Sequence, residues 1–412
     1  MESKVIEDAV VLLGPELEPF LCKRFEWKDD AIVAIDRIRR VEGIEGAKIL
    51  ISPGFCNGHT HMGDSCFPDG SIGLTLEEGF FRPNGFKYRS LAETNEEEQL
   101  RHVAAHLGYM AQSGTICHVD FREQGPAGAR LLRRAAEMTG VQSVILSQFE
   151  GVPFSEEELS RDEAFLPEAF KEEVRQMLEV ADGFSESTMN DLSSVAWRWI
   201  RAECEARGKI KAIHCLEDEN YRSRSLEIAG KGDLERAIEL YNADLIVHMT
   251  VANQEEIKRA ALSGKTFVLN PRANANLGLP TPPIADLLDS GVNLMLGTDN
   301  GMLNSPNMLA ELDYSFKLCK SQYGDALRPD PGSILKMATS NAGKFLGGDY
   351  LGYLDEGLPA SFVAWDFTAP HLRASKHAVA SLVSRVTPAE CLLTLRLGKT
   401  LFSRDATWGK GG

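Results

Sequence analysis

Four short segments, each ending an apolar run, carry side chains able to do chemistry: His59-Thr60-His61, His214-Cys215-Leu216-Glu217, Val247-His248 and Thr298-Asp299. Together they hold imidazoles and carboxylates of the kinds that bind a divalent metal and move protons, the parts of a hydrolytic metal site. His59 and His61 follow KILISPGFCNG, and in an extended segment their spacing puts both rings on one side, where they can share an ion. His214 closes KIKAIH, and Glu217 can lean back over the site from beyond the strand end, which suits a proton shuttle. His248 closes DLIVH, and Asp299 follows NLMLGT, a setting in which a buried carboxylate needs a metal or other cation.

Each residue also has a plainer reading: a satisfied core histidine for His248, a helix-start residue for Glu217, a helix N-cap for Asp299. The combination at four strand ends disfavours all the plain readings holding at once. No lysine occurs between Lys171 and Lys209, so the fourth apolar run offers none to bridge a second ion, and a mononuclear site follows. Three neutral imidazoles and one carboxylate fit zinc, with ferrous iron as the alternative, whereas magnesium and calcium prefer oxygen ligands.

Such residues need strands to position them. Eight runs rich in Val, Ile, Leu and Phe lie at 49–56, 115–121, 143–149, 179–184, 210–214, 244–248, 266–270 and 292–297. Most of the segments between them show helical i, i+3, i+4 spacing, as in Leu100, Val103, Ala104, Leu107 and Met110, or Leu192, Val195, Ala196, Trp199 and Ile200. Continuously apolar strands alternating with helices predict an α/β fold with a covered parallel sheet, and eight repeats predict a TIM-like (β/α)8 barrel, with an open doubly wound sheet as the alternative. The barrel is favoured because each candidate ligand falls at the C-terminal end of its strand, and those ends converge on one face.

The chain ends differ. Residues 1–52 (VVLLGP, AIVAIDRIRR, AKILISP) and 348–412 (YLGYLDEGLPASFVAWDF, AECLLTLRLGKTLF) read as short strands broken by Gly and Pro, expected to pair into a small β-sandwich beside a catalytic barrel over 53–347.

With 412 residues, 43% hydrophobic and 25% charged, the composition is that of a globular protein, and no apolar stretch approaches the ~20 residues of a membrane span. A net charge of -16 repels nucleic acid and anionic lipid, so a small-molecule partner is expected. The opening MESKVIEDAVVLLGPELEPF lacks the parts of a signal peptide and reads as the mature start of a cytoplasmic protein. Eight cysteines without a C-x-x-C pair are expected to be reduced thiols. The expected assembly is a homo-oligomer.

At the four segments the chain resembles the amidohydrolase superfamily, and within it the mononuclear-metal deaminases of cytosine, guanine and S-adenosylhomocysteine type, together with the chlorohydrolases. The similarity runs through PGFCNGHTH (Pro53 to His61), HCLE (His214 to Glu217), VH at His248, NPRANANLGLP (Asn270 to Pro280), GTDN (Gly297 to Asn300) and the tail GLPASFVAWDF. Asn57 stands where many hydrolase members carry Asp, and Ala273 where a serine is usual. The resemblance implies that His59, His61, His214 and Asp299 bind the metal and that Glu217, His248 and Asp299 serve catalysis. Hydroxide would add to the ring carbon bearing an amine, Asp299 taking the water's proton. Glu217 would protonate the adjacent ring nitrogen, and His248 would orient the oxygen.

The expected reaction is therefore hydrolytic deamination of an aminated purine, pyrimidine, pterin or nucleoside-type heterocycle. Hydrolysis of a cyclic amide, amidine or chlorinated heterocycle is a second reading, and a non-catalytic binding protein on the same fold a third. Candidate substrate contacts at strand ends are His118, Arg122 and Glu123, Gln148 and Glu150, and Arg272 and Asn274, each of which also fits an ion pair or a cap. The Gly-rich, aromatic block from Asp64 to Tyr88 reads as a lid over the pocket.

Overall fold

The computed structural model of this chain describes residues 3–161 and 165–405. Four strands come first: β1 (Lys4–Leu13), β2 (Glu18–Lys28), β3 (Ala31–Arg40) and β4 (Ile49–Pro53). Nine parallel segments follow: β5 (Phe55–His61), β6 (Thr115–Arg122), β7 (Gln142–Ser147), β8 (Gly183–Phe184), β9 (Ile210–Cys215), β10 (Leu245–His248), β11 (Thr266–Leu269), β12 (Asn293–Leu296) and β13 (Asp299–Asn300). The last three strands are β14 (Phe362–Asp366), β15 (Cys391–Arg396) and β16 (Lys399–Ser403).

The expected barrel is present. Strand order runs β12-β11-β10-β9-β8-β7-β6-β5-β13, and β12 and β13 are two halves of one eighth strand. Its first half pairs with β11, Leu296 opposite Leu269, and its second half pairs with β5, Asp299 opposite Thr60. Gly297 sits at the crossing because nothing larger fits: a Cβ there would lie 2.7 Å from His59 Cβ and 2.8 Å from the His59 nitrogen. Asn57 ties the same seam from the other side, its amide donating to Thr298 Oγ1 (2.7 Å) while its oxygen accepts from Thr298 N (3.0 Å).

Side-chain parity then sorts each strand. On β6, Cys117, Val119 and Phe121 join Cys56, Val247, Val268 and Met295 in the apolar barrel interior. Their neighbours His118, Asp120 and Arg122 alternate to the outer face, under the helices. Outside, helices such as Glu96–Gln112, Gly125–Thr139 and Met308–Tyr323 lay apolar faces on the sheet. The first buries Val103, Leu107 and Met110, as its spacing predicts.

A second sheet joins the two ends of the chain in the order β16-β15-β14-β4-β1-β2-β3, antiparallel except for the β1–β4 pair. Residues 406–412 of the expected terminal region lie outside those described.

Four local expectations are corrected. The run 49–56 is two strands in different sheets, because Pro53-Gly54 interrupts it and a Cβ on Gly54 would meet Ile116 Cδ1 at 2.6 Å. The run 179–184 begins in the last two residues of helix Glu168–Val180 and bends at Ala181-Asp182, leaving a strand of only Gly183–Phe184. In helix Ser194–Ala206 the fully buried indole is Trp197, while Val195 and Trp199 are only half-buried against the same core, because the covered face centres on Ala196, Trp197, Ile200 and Cys204. Within the strand-like C-terminal region, Ala378–Ser384 is a helix.

Candidate active site

The metal-type side chains meet at the C-terminal rim of the barrel. His59 and His61 alternate inward from β5, and His214 is the penultimate residue of β9. His248 ends β10 at φ 82°, and Asp299 opens β13 at φ 64°. Such left-handed backbone costs a non-glycine residue about 1–3 kcal/mol and turns both side chains toward the centre of the rim. His61 Nε2 lies 3.3 Å from His214 Nε2, and Asp299 Oδ1 lies 3.3 Å from His59 Nε2 and 3.7 Å from His61 Nε2. The ligand atoms of His59, His61 and His214 all fall within 4.8 Å of one another, as do those of His59, His248 and Asp299.

These residues fit a metal on observations of the site itself. Among the described residues neither buried ring nitrogen of His59 makes a well-aligned hydrogen bond, Nε2 having only the approach of Asp299 Oδ1 at 3.3 Å, a costly state unless a cation takes one of them. Two ligands held about 2.0–2.1 Å from a shared tetrahedral ion stand about 3.3 Å apart, which is the separation found between His61 and His214. Two of the rings have fixed orientations: His61 Nδ1 bonds Glu123 Oε1 at 2.7 Å, and His214 Nδ1 bonds the Glu186 carbonyl at 2.9 Å, so each presents Nε2 to the centre. Burial pushes His59 down to about 3 and, with the neighbouring rings, His214 well below its usual range, so both stay neutral. Burial alone would raise the Asp299 carboxyl, but the His59, His248 and His61 rings hold it well below the usual carboxylate range.

Beside this cluster stands the proton-handling pair. Glu217 Oε2 is 3.7 Å from His248 Nε2, and Tyr221 hydrogen-bonds the same carboxylate. Burial raises the Glu217 carboxyl, the direction that lets it carry a proton near neutral pH. Asn274 Nδ2 lies 3.4 Å from His248 Nδ1 on the far side of the ring. A cavity of about 530 Å³ opens over His61, His214, Glu217, His248 and Asp299, roofed in part by Phe80, Phe81, Arg82, Lys87 and Tyr88. Those five come from the block expected to form a lid.

The candidate substrate contacts lie elsewhere: none of His118, Arg122, Gln148, Arg272 and Asn274 lines the cavity. His118 faces outward and is held between Thr60 Oγ1 (2.8 Å) and Ser143 Oγ (2.6 Å). Arg122 donates to the Gly128 carbonyl and to Glu123. Gln148 is buried short of the cavity, Arg272 turns to Glu311, and Asn274 backs His248. Glu150 is exposed, and Glu123 supports His61 rather than a substrate. Sequence reasoning missed Arg82, Lys87, Tyr88 and Tyr221 as cavity residues. The first three sit in the lid block, and Tyr221 follows Glu217 by one helical turn, the available signal for it.

His118 makes a testable contribution to pH stability. Burial lowers its ring to about 3, so the unfolded chain binds a proton near pH 6.5 that the native ring refuses. Stability is therefore lost as pH falls below 6.5. Between pH 7 and 5, urea denaturation of the parent should lose about 2 kcal/mol more than that of His118→Asn. Identical pH curves would mean that the native ring takes the proton.

A closed parallel barrel with imidazole and carboxylate ligands at its C-terminal rim and a buried acid beside them defines a metal-binding hydrolase. More narrowly, this chain belongs to the Amidohydrolase family, whose family model matches residues 50–400, and its reaction class is hydrolysis of carbon–nitrogen bonds. It is 36% identical over 368 residues to a protein of Methanothermobacter thermautotrophicus provisionally named an aminohydrolase, covering 88% of this chain and 91% of that one. It is 26% identical over 420 residues to the 5-methylthioadenosine/S-adenosylhomocysteine deaminase of Thermococcus onnurineus, covering 97% and 94%. Among solved structures, an adenosine deaminase from Xanthomonas campestris with bound zinc shares the fold at a TM-score of 0.81 and 19% identity, covering 96% and 92%.

Proposed function

We propose that this protein is a hydrolytic deaminase of an aminated purine, pyrimidine, pterin or nucleoside-type heterocycle, with one divalent metal held by His59, His61, His214 and Asp299. The observation that carries the reading is the Glu217–His248 pair, 3.7 Å apart, facing the same cavity as the ligand cluster. Relatives named as deaminases support the reaction, and the bound zinc of the Xanthomonas protein supports zinc over ferrous iron. The eight free cysteines, seven of them buried, support a reducing, cytoplasmic setting.

When bound, the metal supplies a Lewis acid that makes water ionisable near neutral pH. Asp299 accepts the proton released as the water oxygen adds to the amine-bearing ring carbon. Glu217, kept protonatable by its burial, delivers a proton to the adjacent ring nitrogen and later relays one to the departing ammonia. His248 donates a hydrogen bond to the adding oxygen and stabilises the tetrahedral carbon. The lid residues exclude bulk water.

The cavity wall also selects on charge. Apart from the metal-holding Asp299 and the protonatable Glu217, it holds three carboxylates (Glu156, Asp191, Glu227) and three cations. Two of those cations are engaged: Arg82 by Glu186, Asp191 and the Phe149 carbonyl, Lys87 by Glu123 and Asn300. The third, Arg224, faces Glu227 at 3.4 Å on the rim. Apart from the metal itself, a phosphate monoester therefore meets no unpaired side-chain cation among the described lining residues, which favours an uncharged base or nucleoside as the substrate.

The test is ammonia release from a panel of aminated purines, nucleosides, pyrimidines and pterins, with nucleoside 5′-monophosphates included. Ammonia from one ring class is the expected result, and kcat/KM for a nucleoside should exceed that of its monophosphate at least ~10²-fold. Equal rates would show that a lid cation is released to the phosphate. Silence across the panel with metal bound would move the reading to cyclic amide or chlorinated-ring hydrolysis.

A further inference from the structure

Lys87 is a buried ammonium in the roof of the cavity, on helix Phe86–Glu93 of the lid. It contacts two acceptors closely and faces a third. Nζ pairs with Glu123 Oε1, donates to Asn300 Oδ1 at 3.0 Å and faces Asp64 Oδ2 at 3.9 Å. The first two acceptors are each one bond from the candidate metal ligands. Glu123 Oε1 is also the partner of His61 Nδ1 at 2.7 Å, and the Asn300 amide nitrogen donates to Asp299 Oδ1 at 3.2 Å. One ammonium thus touches the supports of two ligands that come from opposite sides of the barrel seam, β5 and β13.

We propose that Lys87 is a positioning residue that couples the seating of the lid to the metal centre by holding Glu123 against His61 and Asn300 against Asp299. This inference rests on the assignment of His61 and Asp299 as ligands. Its logic is electrostatic and geometric. The ammonium holds Glu123 turned toward His61, which orients that ring with Nδ1 on the carboxylate and Nε2 toward His214. The same charge orients the Asn300 amide with its oxygen toward the lid, leaving its nitrogen to hold Asp299 Oδ1, the oxygen that faces the His59 and His61 rings. Arg122 reaches Glu123 only through the other oxygen, Oε2, at 3.2 Å, so it cannot replace Lys87 at the atom shared with His61. A lid lifted from the barrel carries Lys87 away and loosens both ligands together.

A buried ion pair serving only the fold would make the same contacts, so the test reads metal affinity. Zinc-loaded parent protein, Lys87→Ala and Lys87→Met are titrated against a chelator of known zinc affinity, with and without ethylammonium. The cavity wall position of Lys87 lets this small amine occupy the vacated volume. Loss of the supporting partner should weaken zinc binding about 10- to 100-fold. Ethylammonium should restore most of that loss in Lys87→Ala, while ethanol, of matching size but no charge, should not. Unchanged zinc affinity in either folded variant overturns the proposal. So does a loss that the amine and the alcohol repair equally, or that neither repairs, since that pattern belongs to packing. Should Lys87→Ala not fold, Lys87→Met, which keeps the aliphatic stem, decides by its zinc affinity. A parent protein that binds no zinc, or that binds it unchanged after His61→Ala, would instead refute the ligand assignment beneath the proposal.

Discussion

Replacing Glu217 by Gln is expected to lower kcat by ~10²–10⁴-fold while a full equivalent of metal stays bound. The amide keeps the volume and the bond to Tyr221 but cannot lend a proton to a ring nitrogen. Glu217 is buried and 3.7 Å from His248, yet it belongs to neither trio of clustered ligand atoms, so its loss should spare the metal. Metal content by elemental analysis and turnover by ammonia release separate the two effects. Turnover within a few-fold of the parent would remove Glu217 from the mechanism, and loss of metal would make it a ligand.

His61→Ala should do the opposite and lose metal and activity together, with turnover falling at least ~10³-fold. It removes a neutral nitrogen from the centre and leaves the Glu123 carboxylate, which it bonds at 2.7 Å, facing a void. The Lys87 and Arg122 contacts remain to hold that charge, so the barrel should stay folded. Far-UV circular dichroism beside the metal assay checks this. A folded variant that keeps its zinc would strike His61 from the ligand set.

The barrel and its candidate ligands were legible in the sequence because both depend on short-range rules. Continuous apolar runs name parallel strands, and a polar residue at the end of such a run stands on the rim. Less legible were features decided by which face of a strand a residue occupies. The segment CHVDFRE looks uniformly interesting, yet parity sends Phe121 to the His59 ring, 4.4 Å between centroids, and His118 and Arg122 to the helices. The terminal sheet has a similar blind spot at β2, whose EPFLCKRFEWK mixes charge with apolar residues because only part of it is covered. The lid was visible as a glycine-rich aromatic stretch, but nothing local in FKYRS reveals that Lys87 meets Glu123 across the barrel mouth. Such a pairing belongs to the tertiary fold.

The split eighth strand has a bearing on how the protein comes into being. His59 and His61 are made early in the chain and Asp299 late, and the two sets become neighbours only when β13 docks beside β5. Ring closure of this kind is a contact of long sequence separation, paid for in chain entropy before any local reward, and belongs to the slow end of folding. A nascent or partly opened chain thus holds loose histidines but no finished centre. Metal capture should then act as a latch on the last step, favouring the circle once it has formed and doing little to hasten its formation.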